Sequence, residues 1–274
     1  MIAVELAANL TDEHKALVLR YLGTAERFSL AEWVTLLEAF TMLNESTVQL
    51  QGVTLTWQAF YDRFVDQVYG DACIAELFAA TELSARAPAI QARYARQLYQ
   101  QLRRESFRLG DTPATESLLA YCLYWWASFV RGYAFEIEIF RDLEAASIHY
   151  TSHDLRVREQ RFSPCDLTVF GMTSDIKNTT YFLYVARSFP LTCDFYITRL
   201  YNTTMGHYIR IVVLTDEAWH RINGDIVRSD LTQAAQWLPQ VVGVTFLGYD
   251  LVVADYEVWK QKVLQRQQAG GDMP

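Results

Sequence analysis

Lysine is almost missing from this chain: Lys15, Lys177, Lys260 and Lys262 are the only ones, and every other fixed cation is arginine. A lone lysine in an aromatic stretch is therefore informative, because its compact, titratable charge differs from a guanidinium fork. Cysteine is scarce too. Cys73, Cys122, Cys165 and Cys193 lie far apart with no pair at metal-ligand spacing, which argues against structural zinc and for buried, reduced thiols. No Gly-rich phosphate loop or nucleotide fingerprint occurs. The longest apolar run, residues 118–130, is broken by Ser128 and too short for a bilayer, so it predicts a buried helix and no membrane insertion. Residues 1–10 lack the basic start and apolar stretch of a secretory signal, so a cytoplasmic location is expected.

Charge is modest in amount and acidic in balance. Charged residues are 20% of the 274, against 51% hydrophobic and 14% aromatic, which allows a large core in one domain or two. The net charge of -8 argues against a general nucleic-acid coating protein. A local basic patch can still act, because screening confines each charge to roughly 8 to 10 Å.

The first hundred residues read as helices. Apolar residues recur three and four apart through Trp33, Leu36, Leu37 and Phe40, and through Trp57, Phe60, Tyr61 and Phe64, with Ser29 and Thr56 placed to cap them. A longer helix is expected over 88–109, with Pro88 in its first turn and Gly110 as its stop. Asp111, Thr112 and Pro113 punctuate a new start. A boundary there gives an all-helical region, 1–112, as a DNA-positioning or dimerising element, and an α/β region, 113–274. After a helix over 113–146, extended runs are expected at 148–153, 166–170, 176–185, 208–214, 241–247 and 251–254, followed by a helix over 256–268. Residues 192–202 read as either helix or strand, and the tail from Ala269 is expected to fray.

Chemistry concentrates in the extended runs. Alternation puts Asp166 and Thr168 on one strand face, and Asp175 and Lys177 together on one face of the next run. If the two runs pair across the turn at 171–174, two carboxylates and an ammonium converge. Paired carboxylates suit a hard cation, and a neighbouring lysine can orient a water or offset developing charge. The plain alternative is a surface ion pair between Asp175 and Lys177. On the preceding helix, Glu136 falls inside an apolar stripe formed by Trp126, Phe129, Tyr133, Ile137, Phe140 and Leu143, while Glu138 points elsewhere. A carboxylate so placed needs a partner, either a metal or an arginine such as Arg131 or Arg141. His149 and His153 share a strand face but have no third ligand nearby, so they read as ordinary edge-strand histidines.

The order Gly132-x-x-x-Glu136 on a helix, Asp166 on a strand and Asp175-x-Lys177 on the next resembles the PD-(D/E)xK, or restriction-endonuclease-like, superfamily over about 130–255. The resemblance implies an α/β core of helix, three-strand meander, helix and strand. It implies a metal-dependent phosphodiester hydrolase acting on nucleic acid, DNA first. Glu136, Asp166 and Asp175 would then be ligands of Mg2+ or Mn2+, and Lys177 would serve the attacking water. The chain departs from the family pattern where Cys165 separates Pro164 from Asp166, and where Asp175 replaces the commoner glutamate. The tripeptide alone carries little, since Glu13-His14-Lys15 also matches it. A catalytically inactive nuclease-like scaffold or DNA-binding module is the rival reading. For nucleic acid, the best surface is the 88–109 helix. Arg86, Arg93, Arg96, Arg103, Arg104 and Arg108 fall within a wheel arc of roughly 140°, and such a face can follow a phosphate backbone.

Overall fold

The computed structural model describes residues 3–23, 28–105, 107–161, 163–185, 191–202, 205–215, 217–218, 227–228, 241–246 and 248–270. They fall into two compact units, Met1–Ala134 and Phe135–Pro274. The division lies inside the helix Pro113–Ala145, downstream of the boundary expected at 112. Among the described residues no helix is long and apolar enough to cross a membrane.

The first unit forms its helices where the apolar spacing and the caps predict them. In Leu30–Met42, Ser29 Oγ accepts from the Glu32 amide while the Glu32 carboxylate accepts from the Ser29 amide at 2.7 Å, a reciprocal cap. Thr56 caps Trp57–Tyr61 one way only, its Oγ1 accepting from the Ala59 amide at 3.1 Å. The expectation of an all-helical region is overturned by a three-stranded antiparallel sheet of β1 (Ala3–Glu5), β2 (Thr47–Leu50) and β3 (Val53–Thr56). Its signal was present in the sequence: two short β-branched runs flank Gln51-Gly52, whose φ angles of 53° and 83° make the tight turn that matches strand twist. The long helix also differs from its expected span. It runs over Leu83–Gln100 with Pro88 inside it, then widens into a π-helical turn over Gln101–Glu105.

The second unit is built on a mixed sheet. Its strands are β4 (Thr151–Ser152), β5 (Leu167–Val169), β6 (Met172–Lys177), β7 (Phe195–Asn202), β8 (His207–Thr215), β9 (Val227–Arg228), β10 (Val241–Phe246) and β11 (Tyr249–Asp255). They lie in the order β4-β5-β6-β7-β8-β11-β10-β9. β4, β5 and β6 form an antiparallel meander, and β7 lies parallel to β6. The ambiguous 192–202 segment thus resolves as a strand. Of the 176–185 run, only the first two residues are strand; the helix Tyr181–Val185 replaces the rest, with the Tyr181 amide donating to Thr179 Oγ1. Residues 148–150 are drawn out of the sheet, where the His149 amide donates to Gln267 Oε1 on the C-terminal helix. Leu247 and the tail residues 271–274 lie outside the described residues.

Both faces of the sheet are buried. Tyr196, Ile211, Val213, Leu251 and Val253 form one core cluster with Leu183. On the other face the Phe195 ring meets Trp259, from the helix Tyr256–Gln268, at 5.4 Å between centroids. Asp255 starts that helix by accepting from the Glu257 and Val258 amides. Trp259→Ala removes a fully buried indole and is expected to cost about 3–5 kcal/mol in urea unfolding.

Candidate metal centre

The carboxylate of Glu136 is buried among the helical neighbours Ile137, Ile139, Phe140 and Leu143, as the stripe requires. Burial raises its pKa above the ordinary carboxylate range. Glu138 turns away and pairs with Arg199. The partner that Glu136 needs is neither Arg131 nor Arg141 but His153, whose Nε2 lies 3.1 Å from Glu136 Oε2.

His153 follows β4, and its amide donates to the Asp166 carbonyl at 3.1 Å, which brings the two residues side by side. Its buried ring bridges the cluster, with Nδ1 3.6 Å from Asp166 Oδ1. That separation is too long for a hydrogen bond, and Nδ1 has no hydrogen-bond partner among the described residues. The two ring nitrogens thus face Glu136 and Asp166 respectively, and the tautomer that donates from Nε2 turns its Nδ1 lone pair toward Asp166.

Asp166 directly precedes β5. Its own amide donates to the Ser174 carbonyl at 2.8 Å, and its Oδ2 accepts from the Ile176 amide at 2.6 Å. The β6 backbone therefore fixes this side chain. Burial first, then the nearby Glu136 and Asp175, pushes its carboxyl up to about 9.

On β6 the alternation holds: Ser174 and Ile176 are buried, while Asp175 and Lys177 share the other, half-buried face. Lys177 Nζ sits 2.5 Å from Asp175 Oδ2. Burial pulls the ammonium pKa down, but Asp175, Asp166 and Glu136 together outweigh it and hold the group above its ordinary value.

Ligand atoms of Glu136, His153 and Asp166 lie within 4.8 Å of one another, the one such group found among the described residues. Compared with known protein families, curated proteins and solved structures, the chain matches none. What the site can do must therefore be judged from its own chemistry. Three carboxyl groups crowd together with Lys177 as their charged neighbour, so full ionisation at neutral pH leaves excess negative charge in a buried place. A divalent cation would offset that charge and would find a ligand in the imidazole nitrogen that has no hydrogen-bond partner among the described residues.

Glu136 and Asp166 thus meet, and Asp175 and Lys177 lie on the strand that holds Asp166. His149 is exposed and stands apart. His153 differs from the ordinary edge-strand histidine expected: its ring is buried, with Glu136 and Asp166 supplying the neighbouring ligand groups that the sequence did not show. Its role depends on the register between β4 and β5, which no local pattern encodes.

The arginine face is less continuous than a single helix predicts. The π-helical turn changes the angular step before Arg103 and Arg104, and Arg108 falls beyond it with a φ of 48°. Arg93 is engaged by Glu76, and Arg103 by both Asp111 and Glu116.

Proposed function

We propose that the second unit hydrolyses phosphodiester bonds in nucleic acid as a PD-(D/E)xK-type nuclease, with a divalent cation held by Glu136, Asp166, Asp175 and His153. The observation that carries this reading is the meeting of Glu136, His153 and Asp166 beside the Asp175–Lys177 pair. The order of elements supports it. The helix Pro113–Ala145, the β4–β6 meander, the helix Tyr181–Val185 and β7 follow one another as the family resemblance implies.

When bound, such a cation polarises a phosphoryl oxygen and lowers the pKa of its water. The protein's own part is positional. The Ile176 amide holds Asp166 at one oxygen, leaving the other directed at the cluster. His153 orients Glu136 through their shared hydrogen bond. Lys177, tethered to Asp175, supplies the positive charge that orients a nucleophilic water and neutralises charge growing on the phosphate.

An imidazole among carboxylates shifts preference from Mg2+ toward Mn2+. His153→Ala should weaken Mn2+ binding by roughly 10- to 100-fold, measured by calorimetric titration against wild type. An unchanged affinity would remove His153 from the metal site.

The activity is tested by incubating the protein with supercoiled, linear and single-stranded DNA, and with RNA, in Mn2+, Mg2+ or EDTA. Metal-dependent products support the hydrolase. Binding without products in any of these mixtures points to the scaffold reading.

A further inference from the structure

The pairing registers show where β7 and β8 leave the sheet. β6 and β7 pair as far as Lys177 and Thr198, and β11 joins β8 only from Ile211 onward. Beyond those points, among the described residues, Arg199 to Asn202 pair only with His207 to Arg210, as a two-stranded ribbon that starts beside Lys177. Leu200 and Ile209 pack one side of the ribbon onto the core cluster.

The other side carries Tyr201 and Tyr208, a cross-strand pair 49% and 59% exposed. Their rings meet edge to face at 5.2 Å, so each fixes the orientation of its neighbour. Met205, 58% exposed, stands at the tip. No acidic residue occurs between Asp194 and Asp216, although the chain contains 32 of them. Arg199 and Arg210 lie at the base of the ribbon, where Glu138 and Asp142 engage them.

We propose that this ribbon, which continues the strand paired with Lys177, binds single-stranded nucleic acid by stacking unpaired bases on Tyr201 and Tyr208; the inference rests on the nuclease reading for its setting. Stacking on aromatic rings suits any base, since every base has a π-face. The ribbon's own residues include no acid and so add no repulsion against approaching phosphates, and the acids at its base, Glu138 and Asp142, are paired with Arg199 and Arg210. A second copy of the chain is a poorer occupant. Three half-exposed side chains offer well under the roughly 800 Å2 per partner of a stable protein interface.

The test measures fluorescence anisotropy of a short labelled oligothymidylate in EDTA, so that nothing is cleaved. Y201A/Y208A should lose at least about tenfold in affinity, while Y201F/Y208F, which keeps the rings, stays within about twofold of wild type. An abasic oligomer of the same length should bind wild type as weakly as the thymidylate binds the alanine variant. Equal binding by wild type and alanine variant overturns the proposal. So does an alanine variant whose only change, in sedimentation velocity, is in self-association. Unchanged circular dichroism and melting exclude a folding defect. The two readings fail differently: tyrosine-dependent binding without cleavage in Mn2+ sinks the hydrolase alone, and cleavage with tyrosine-independent binding sinks the ribbon alone.

Discussion

Asp166→Asn should abolish metal-dependent cleavage while leaving the metal-free protein at least as stable as wild type at neutral pH. The carboxyl of Asp166 ionises near 9 in the folded chain, against an ordinary value of 3.8. Between those values the unfolded chain has released a proton that the folded chain keeps, so stability is greatest below the lower value and declines as pH rises toward the higher one. Asparagine has the shape of the neutral acid and cannot ionise, so it removes this decline. It also cannot supply the anionic oxygen that a metal requires. The expected pattern is a fall in cleavage of roughly a thousandfold or more, with a urea-unfolding free energy flatter than wild type across about pH 4 to 9. Metal binding to wild type should release protons and tighten over the same range. A variant that cleaves normally, or whose stability follows pH as wild type does, contradicts the placement of Asp166.

Lys177→Ala should separate metal binding from chemistry. The ammonium is bonded to Asp175, and its removal frees that carboxylate, so Mn2+ affinity should hold or rise. Turnover should drop roughly 10²- to 10⁴-fold, the range for losing a group that handles protons at a reacting centre. Lys177→Arg should rescue little. A planar guanidinium stays charged at every accessible pH and cannot occupy the position of a compact ammonium. Calorimetry with Mn2+ and single-turnover cleavage distinguish this outcome from a simple structural ion pair, whose loss would change stability and leave turnover intact.

Much of the site was legible because it depends on period-two alternation over short distances. Asp175 and Lys177 share a face of β6, and Asp166 enters β5 one hydrogen-bonded turn away. Glu136 was legible for a related reason, since a carboxylate inside an apolar helical stripe has to meet something. What it meets was hidden. His153 reaches Glu136 and Asp166 through pairing on β4, a strand of two residues. A strand that short leaves no periodic trace.

The same limit explains the fold. The helix expected over about 256–268 is found at Tyr256–Gln268, with Asp255 as its cap. The segment 192–202 is ambiguous, because a strand buried on both faces, as β7 is over Phe195–Thr198, has no alternation to distinguish it from a buried helix. The small sheet of β1, β2 and β3 is masked in the sequence by the helical spacing on either side of β2 and β3. The 88–109 arginine face requires a regular helix, and the π-helical turn at Gln101–Glu105 breaks that regularity.

The most direct test is cleavage of closed-circular plasmid by wild type, Asp166→Asn and Lys177→Ala, purified in parallel and assayed with Mn2+ or with EDTA. A metal-dependent nuclease centred on these residues gives nicked and linear product from wild type in Mn2+ alone, and essentially none from either variant. Equal product from a variant, or from wild type in EDTA, contradicts it.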